Sequence, residues 1–150
     1  IYGLPTSVYY HDLWKFNPQT KSWTRLNDLP MNGHQAFFSN SVAEKGYAVI
    51  GVVDTTTYLT HTETWKYDAA QDSWIKMNTP PPSLAGMSGS CTDGQRIFMV
   101  SGSDLWAFSP ATDSYEKLDS RAPTGGTLGT DGTTLYLLDP SDGRFWKYAP

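Results

Sequence analysis

One spacing constrains this chain more than any other. Three times, a tryptophan is followed two residues later by a second aromatic, then by six residues, then by a third aromatic. The copies are Trp14, Phe16 and Trp23; Trp65, Tyr67 and Trp74; and Trp106, Phe108 and Tyr115. A fourth copy opens at Trp146 and Tyr148 without the third aromatic. The leading tryptophans stand 51, 41 and 40 residues apart. A period near 40 residues suits either a four-stranded β unit or a two-helix unit, repeated side by side.

Local pattern separates the two. Apolar positions alternate with period two, turn residues recur every few positions, and no stretch holds a helical period. Proline punctuates the chain too often for long helices. The expected fold class is therefore all-β: a β-propeller, about three and a half four-stranded blades in this chain. The units run over 1–30 (incomplete), 31–81, 82–123 and 124–150 (incomplete). In the first, Asp12 to Phe16 and Trp23 to Leu26 flank a type I turn at Asn17-Pro18. In the second, Gln35 to Val42 is a strand, Glu44-Lys45-Gly46 a turn, and Tyr47 to Val53 a strand apolar enough to be buried on both faces. A connection from Asp54 to Glu63 follows, then strands Thr64 to Tyr67 and Trp74 to Met77. The third unit is tighter, with a hairpin signal at Asp93-Gly94 and only Ser101-Gly102-Ser103 before Asp104. The fourth has its own hairpin signal at Asp131-Gly132.

Composition narrows the function classes. Aromatics reach 14% while charged residues stay at 17%, a balance that favours an ordered β-rich chain over a disordered one. The net charge is −4 and no Lys/Arg stripe exists, so nucleic acid is not an expected partner. The longest apolar run, Tyr47 to Val53, is too short for a bilayer, so no membrane partner is expected. Cys91 is the single cysteine, which excludes an intrachain disulfide and a cysteine-rich zinc site. The chain starts at Ile1 and shows no signal peptide, as a processed product or an excised piece would. Its compartment is not legible.

The repeated aromatics, with Leu29-Pro30 before Gly33-His34 at a unit junction, resemble the Kelch-repeat β-propellers. The resemblance covers nearly the whole chain. It departs at the paired glycines of the family's second strand, where only Gly51, Gly102 and Asp139-Pro140 stand. The resemblance implies a rigid, non-catalytic scaffold whose loops on one face bind a protein or peptide. A more distant resemblance, to the propeller of galactose oxidase, keeps carbohydrate binding, or the propeller part of a carbohydrate-acting enzyme, as the alternative. Its copper site requires a crosslinked Cys–Tyr pair, a second Tyr and two His, and no such motif is visible around Cys91. No cofactor or metal is expected.

Propellers close with four to eight blades. This chain is thus expected to expose apolar faces at both ends, as part of a six- or seven-bladed ring or as a half completed by a second chain. The six tryptophans sit on the repeat and are expected to pack rather than bind. The Kelch resemblance implies that second-to-third-strand connections and unit junctions emerge on one rim, the usual binding face, and the candidate binding residues lie in them: Tyr9, Tyr10, His11, His34, Asp54, Tyr58, His61 and Glu63. Tyrosine-bearing loops on a rigid frame are common recognition surfaces.

Overall fold

The structure is a computed structural model that describes residues 11–30, 36–53, 60–81, 84, 87–139 and 142–149. The described residues form thirteen strands in four antiparallel sheets. The first sheet holds β1 (Leu13–Asn17) and β2 (Ser22–Leu26). The second holds β3 (Ala36–Val42), β4 (Lys45–Val53), β5 (Thr60–Asp68) and β6 (Ser73–Lys76). The third holds β7 (Met87–Thr92), β8 (Ile97–Ser101), β9 (Asp104–Ser109) and β10 (Ser114–Asp119). The fourth holds β11 (Thr127–Thr130), β12 (Leu135–Leu138) and β13 (Phe145–Tyr148). Each sheet is a meander in which sequence neighbours pair. No helix among them is long and apolar enough to cross a membrane.

Alternation explains how the sheets stack. In each unit the aromatic trio shares one face of strands three and four, because Phe16 pairs with Trp23, Tyr67 with Trp74 and Phe108 with Tyr115 in register. The rings touch at 4.9, 5.1 and 4.6 Å between centroids. The face of the third sheet packs on the opposite face of the second. Trp106, Phe108, Ile97, Met99 and Leu84 meet Val42, Tyr47 and Val49, with Phe38, Met77 and Tyr115 at the margin. A second core joins the third and fourth sheets through Phe98, Val100, Leu105, Leu128, Leu135 and Leu137. A smaller one joins Ala48, Ile50 and Trp65 to Leu29 and Trp74.

The expectation that all six tryptophans are packed holds for Trp65 and Trp106, at 9% exposure each. Trp14, Trp23 and Trp146 are 45%, 63% and 45% exposed. For Trp14 and Trp23 the reason is position in the stack, whereas Trp146 lines a cleft toward the third sheet from a sheet of three strands. The trio of the first sheet looks away from the second, and no sheet among the described residues covers it. The opposite end leaves Phe145 and Leu138 uncovered in the same way.

Some boundaries differ from expectation. The second unit turns at Ala43 and Glu44, both with positive φ of 47° and 62°, rather than at Glu44 to Gly46. A two-residue hairpin needs that left-handed pair to match strand twist, so Lys45 and Gly46 join β4. In the third unit Ser101 belongs to β8, which leaves Gly102-Ser103 as the connection. Strand β5 begins at Thr60, four residues before the expected Thr64, because the ladder with β4 continues through Thr62, His61 and Thr60.

Between sheets, a polar clip repeats at the outer turns. The Asn27 amide N–H donates to Asp72 Oδ1 (2.9 Å) and its side chain to the Asp72 carbonyl (2.6 Å). Asn78 makes the same two kinds of bond to Asp113. Asp72 and Asp113 adopt positive φ (47° and 50°), which aims both groups at the preceding sheet. Closer to the core the third and fourth sheets meet through glycine. A Cβ at Gly89 would stand 2.7 Å from the Gly126 carbonyl oxygen and 3.0 Å from the Leu128 nitrogen, both backbone atoms that cannot swing aside. Gly89→Ala is therefore expected to lower unfolding stability by about 1–3 kcal/mol, read as a drop in the urea midpoint. An unchanged midpoint would contradict this seam.

Candidate functional site

The described candidate residues His61 and Glu63 lie on β5 itself, not in a connection. They open the strand at the end of the sheet where connections between strands two and three emerge. With Trp65 they share one face, since successive odd positions of a strand do. Glu63 is 8% exposed, and its carboxylate is fully engaged. Oε2 accepts from Trp65 Nε1 (2.9 Å); Oε1 accepts from Lys76 Nζ (2.5 Å) and lies 3.1 Å from His61 Nε2. Lys76 comes from β6, directly opposite Trp65 in register, with its ammonium 6.0 Å from the indole centroid. Burial works to raise the Glu63 pKa, but the bonds from Lys76, His61 and Trp65 outweigh it and hold the carboxyl below its ordinary value.

This arrangement is one of three copies. The acid stands two residues before the leading tryptophan and the cation two after the third aromatic: Asp12 and Arg25, Glu63 and Lys76, Asp104 and Lys117. In the third sheet Lys117 binds Asp104 (2.9 Å) and sits 5.4 Å from the Trp106 ring, while the buried Trp106 Nε1 has no partner. In the first, Trp14 Nε1 donates to Asp12 Oδ2 (2.5 Å) but Arg25 turns to Asp28 (2.7 Å). The Trp14 bond holds the Asp12 carboxyl below its ordinary value. Glu63 meets indole and ammonium together, whereas each shorter aspartate meets one of them: Asp12 the indole and Asp104 the ammonium.

His11 caps the first sheet, its carbonyl accepting from the Leu29 amide (3.0 Å). Tyr9, Tyr10, His34, Asp54 and Tyr58 lie outside the described residues. The structure thus brings His61 and Glu63 together and keeps His11 on a different sheet. Sequence reasoning missed Lys76, Lys117, Asp104 and Arg25, although their constant offsets from the tryptophans were there to be read.

Two further features bear on chemistry. The Cys91 thiol is pushed up to about 12 by burial, with Asp93 adding to it, which disfavours the thiolate form that a nucleophile needs. A cleft of about 150 Å³ lies between the third and fourth sheets, lined among others by Leu105, Asp119, Arg121, Trp146, Lys147 and Tyr148. No group of three or more His, Cys, Asp or Glu among the described residues is placed to hold a metal ion.

No protein-family profile matches the chain, and no curated protein matches it. Solved structures do. YjhT superposes with a TM-score of 0.73 at 16% identity, over 93% of this chain and 59% of that one. A Bacteroides fragilis protein named for 6-phosphogluconolactonase superposes with a TM-score of 0.61 at 16% identity, over 96% of this chain and 46% of its own. Tricorn protease gives 0.53 at 14% identity, over 93% of this chain and 14% of its own. The chain spans about three fifths of YjhT and less than half of the Bacteroides protein. Together with the four stacked antiparallel sheets, these likenesses give the chain a β-propeller fold.

Proposed function

We propose that the chain forms part of a Kelch-type propeller that serves as a non-catalytic scaffold for a protein or peptide partner. Further blades, from a longer parent chain or a second chain, complete the ring, and its total is six or seven. The aromatic trio at fixed spacing supports the Kelch type. The share of YjhT covered by about three and a half blades supports the count. The partner surface is the rim carrying His11, His61 and Glu63, together with Tyr9, Tyr10, His34, Asp54 and Tyr58. One observation supports the non-catalytic reading: the acids Glu63 and Asp104 are paired with lysines of their own sheets. A carboxylate bound in this way is a poor general base.

A second reading, carbohydrate binding or turnover, is favoured by the likeness to the protein named for 6-phosphogluconolactonase and by the Trp146-lined cleft. One set of assays separates the two. Proteins captured by the immobilised chain are identified, purified and re-bound. Tyr58→Ala with His61→Ala is expected to weaken that binding roughly tenfold or more. Sugar-lactone hydrolysis is expected to stay at the buffer rate. Saturable glycan binding at high salt, or lactone turnover abolished by Glu63→Gln, would establish the second reading instead.

A further inference from the structure

The acid, tryptophan and cation that recur in three sheets stand in three different arrangements. In each, the cation lies opposite the tryptophan in register, and the acid precedes that tryptophan by two residues on the same strand face. In the second sheet Glu63 serves both, accepting from the Trp65 indole at Oε2 and from Lys76 at Oε1. In the first, Asp12 accepts from the Trp14 indole, and Arg25 bonds both carboxylate oxygens of Asp28 instead (3.0 and 2.7 Å). In the third, Asp104 accepts from Lys117. The Trp106 indole N–H is then a buried donor with no acceptor among the described residues.

An aspartate two residues before a tryptophan can reach its indole, as Asp12 does (2.5 Å). Asp104 and Trp106 have the same residue types at the same spacing on the equivalent strand. What separates the two sheets is where the cation goes. Asp28, three residues after Arg25, draws the guanidinium away from Asp12. Three residues after Lys117 stands Ser120, which has no charge to offer. The neighbouring Asp119 is held by Arg121 (3.3 Å). Lys117 therefore stays on Asp104, and the indole goes without.

The two arrangements are close in energy. The Lys117–Asp104 pair is partly solvated, at 42% and 20% side-chain exposure, and pairs of that kind contribute little. Against it stands a buried N–H whose lost hydration nothing replaces. Moving Asp104 from ammonium to indole exchanges one bond for another, once Lys117 has a different anion to meet. In the second sheet the same exchange would gain nothing, because Glu63 already holds its indole.

We propose that Asp104 has two positions, and that a carboxylate of an acidic peptide, meeting Lys117 as Asp28 meets Arg25, moves it onto the Trp106 indole. The two positions are independent of the scaffold reading. The acidic peptide rests on that reading and gives the partner its chemistry.

The test follows the Trp106 indole N–H by heteronuclear NMR on the isotope-labelled 150-residue chain, its signal assigned by loss in Trp106→Phe. Lys117→Met keeps an apolar stem against the ring and removes the charge. In that variant the Trp106 indole proton is expected to move downfield and to exchange with solvent roughly five- to tenfold more slowly, the protection of one added hydrogen bond. In Asp104→Ala the same substitution is expected to move nothing. Tetraglutamate at constant ionic strength is expected to carry the wild-type Trp106 signal saturably toward its Lys117→Met position while the Trp65 indole stays in place. Tetraglutamine is expected to leave both unmoved. The other tryptophan signals report that each variant is folded, and the tetraglutamate titration reads the same movement without any variant. A Trp106 signal that Lys117→Met leaves in place, or moves equally in Asp104→Ala, would overturn the two positions and leave the scaffold reading untouched. A signal that answers Lys117→Met but not tetraglutamate would overturn the carboxylate site.

Discussion

Phe108→Ala is expected to lower unfolding stability by about 3–5 kcal/mol, the largest loss from any single truncation discussed for this chain. Phe108 is fully buried in the seam between the second and third sheets. Its ring packs 4.6 Å from Tyr115 and 6.1 Å from Tyr47, so truncation opens a cavity that two rigid rings cannot close. Phe16 holds the same place in the first sheet, with its own ring contact to Trp23 at 4.9 Å, yet it is 44% exposed. Phe16→Ala is expected to cost about 1–2 kcal/mol, clearly less than Phe108→Ala, because nearly half of its surface stays in water on folding and its removal opens no enclosed cavity. Urea unfolding of the two variants side by side decides the matter. Equal losses would mean that the first sheet is covered in solution by something the stacking order does not supply.

That contrast shows where sequence reading works and where it stops. The aromatic spacing made the strands, their pairing and their shared face legible, because ring-over-ring contact across a hairpin needs a fixed number of intervening residues. Asp93-Gly94 and Asp131-Gly132 were legible as turns for the same local reason. Each Asp carboxylate accepts two following amides, and each Gly takes positive φ (90° and 97°). Exposure was not legible from identity, since Phe16 and Phe108 differ only in whether a sheet lies against them. The Ala43-Glu44 turn was hidden because neither residue advertises a left-handed conformation. At the candidate site the reading found His61 and Glu63 but placed them in a loop, because threonines at 55, 56, 57, 60 and 62 look like a connection. Their β-branched side chains suit a strand equally well, and the ladder with the apolar β4 decides for Thr60 and Thr62. Lys76 was overlooked because its role depends on an acid thirteen residues away that only the hairpin brings near.

Glu63→Gln is expected to cost about 1–2 kcal/mol at neutral pH and far less in acid. The carboxylate is nearly buried and accepts from an indole, an ammonium and an imidazole, so an amide in its place leaves Lys76 without its counter-charge. Lys76 and His61 are each 47% exposed and regain water, which keeps the loss below that of a fully buried pair. The sign of the pH effect follows from the direction of the Glu63 shift. Its folded pKa lies below the ordinary value of 4.5, so the unfolded chain takes up the proton first as pH falls. The stability the carboxylate contributes is complete above 4.5 and is lost as pH drops from there through the lower folded value. Gln cannot titrate and carries no such dependence. Urea midpoints of wild type and Glu63→Gln should therefore be well separated at neutral pH and converge in acid. Lys76→Met is the companion measurement, because it leaves Glu63 buried with only Trp65 and His61 as donors. Its loss should also shrink in acid, where a protonated carboxyl no longer needs the ammonium. A gap between wild type and Glu63→Gln that stays constant across that range would show that Glu63 packs as a neutral group, and that the brace shared by the second and third sheets is not electrostatic.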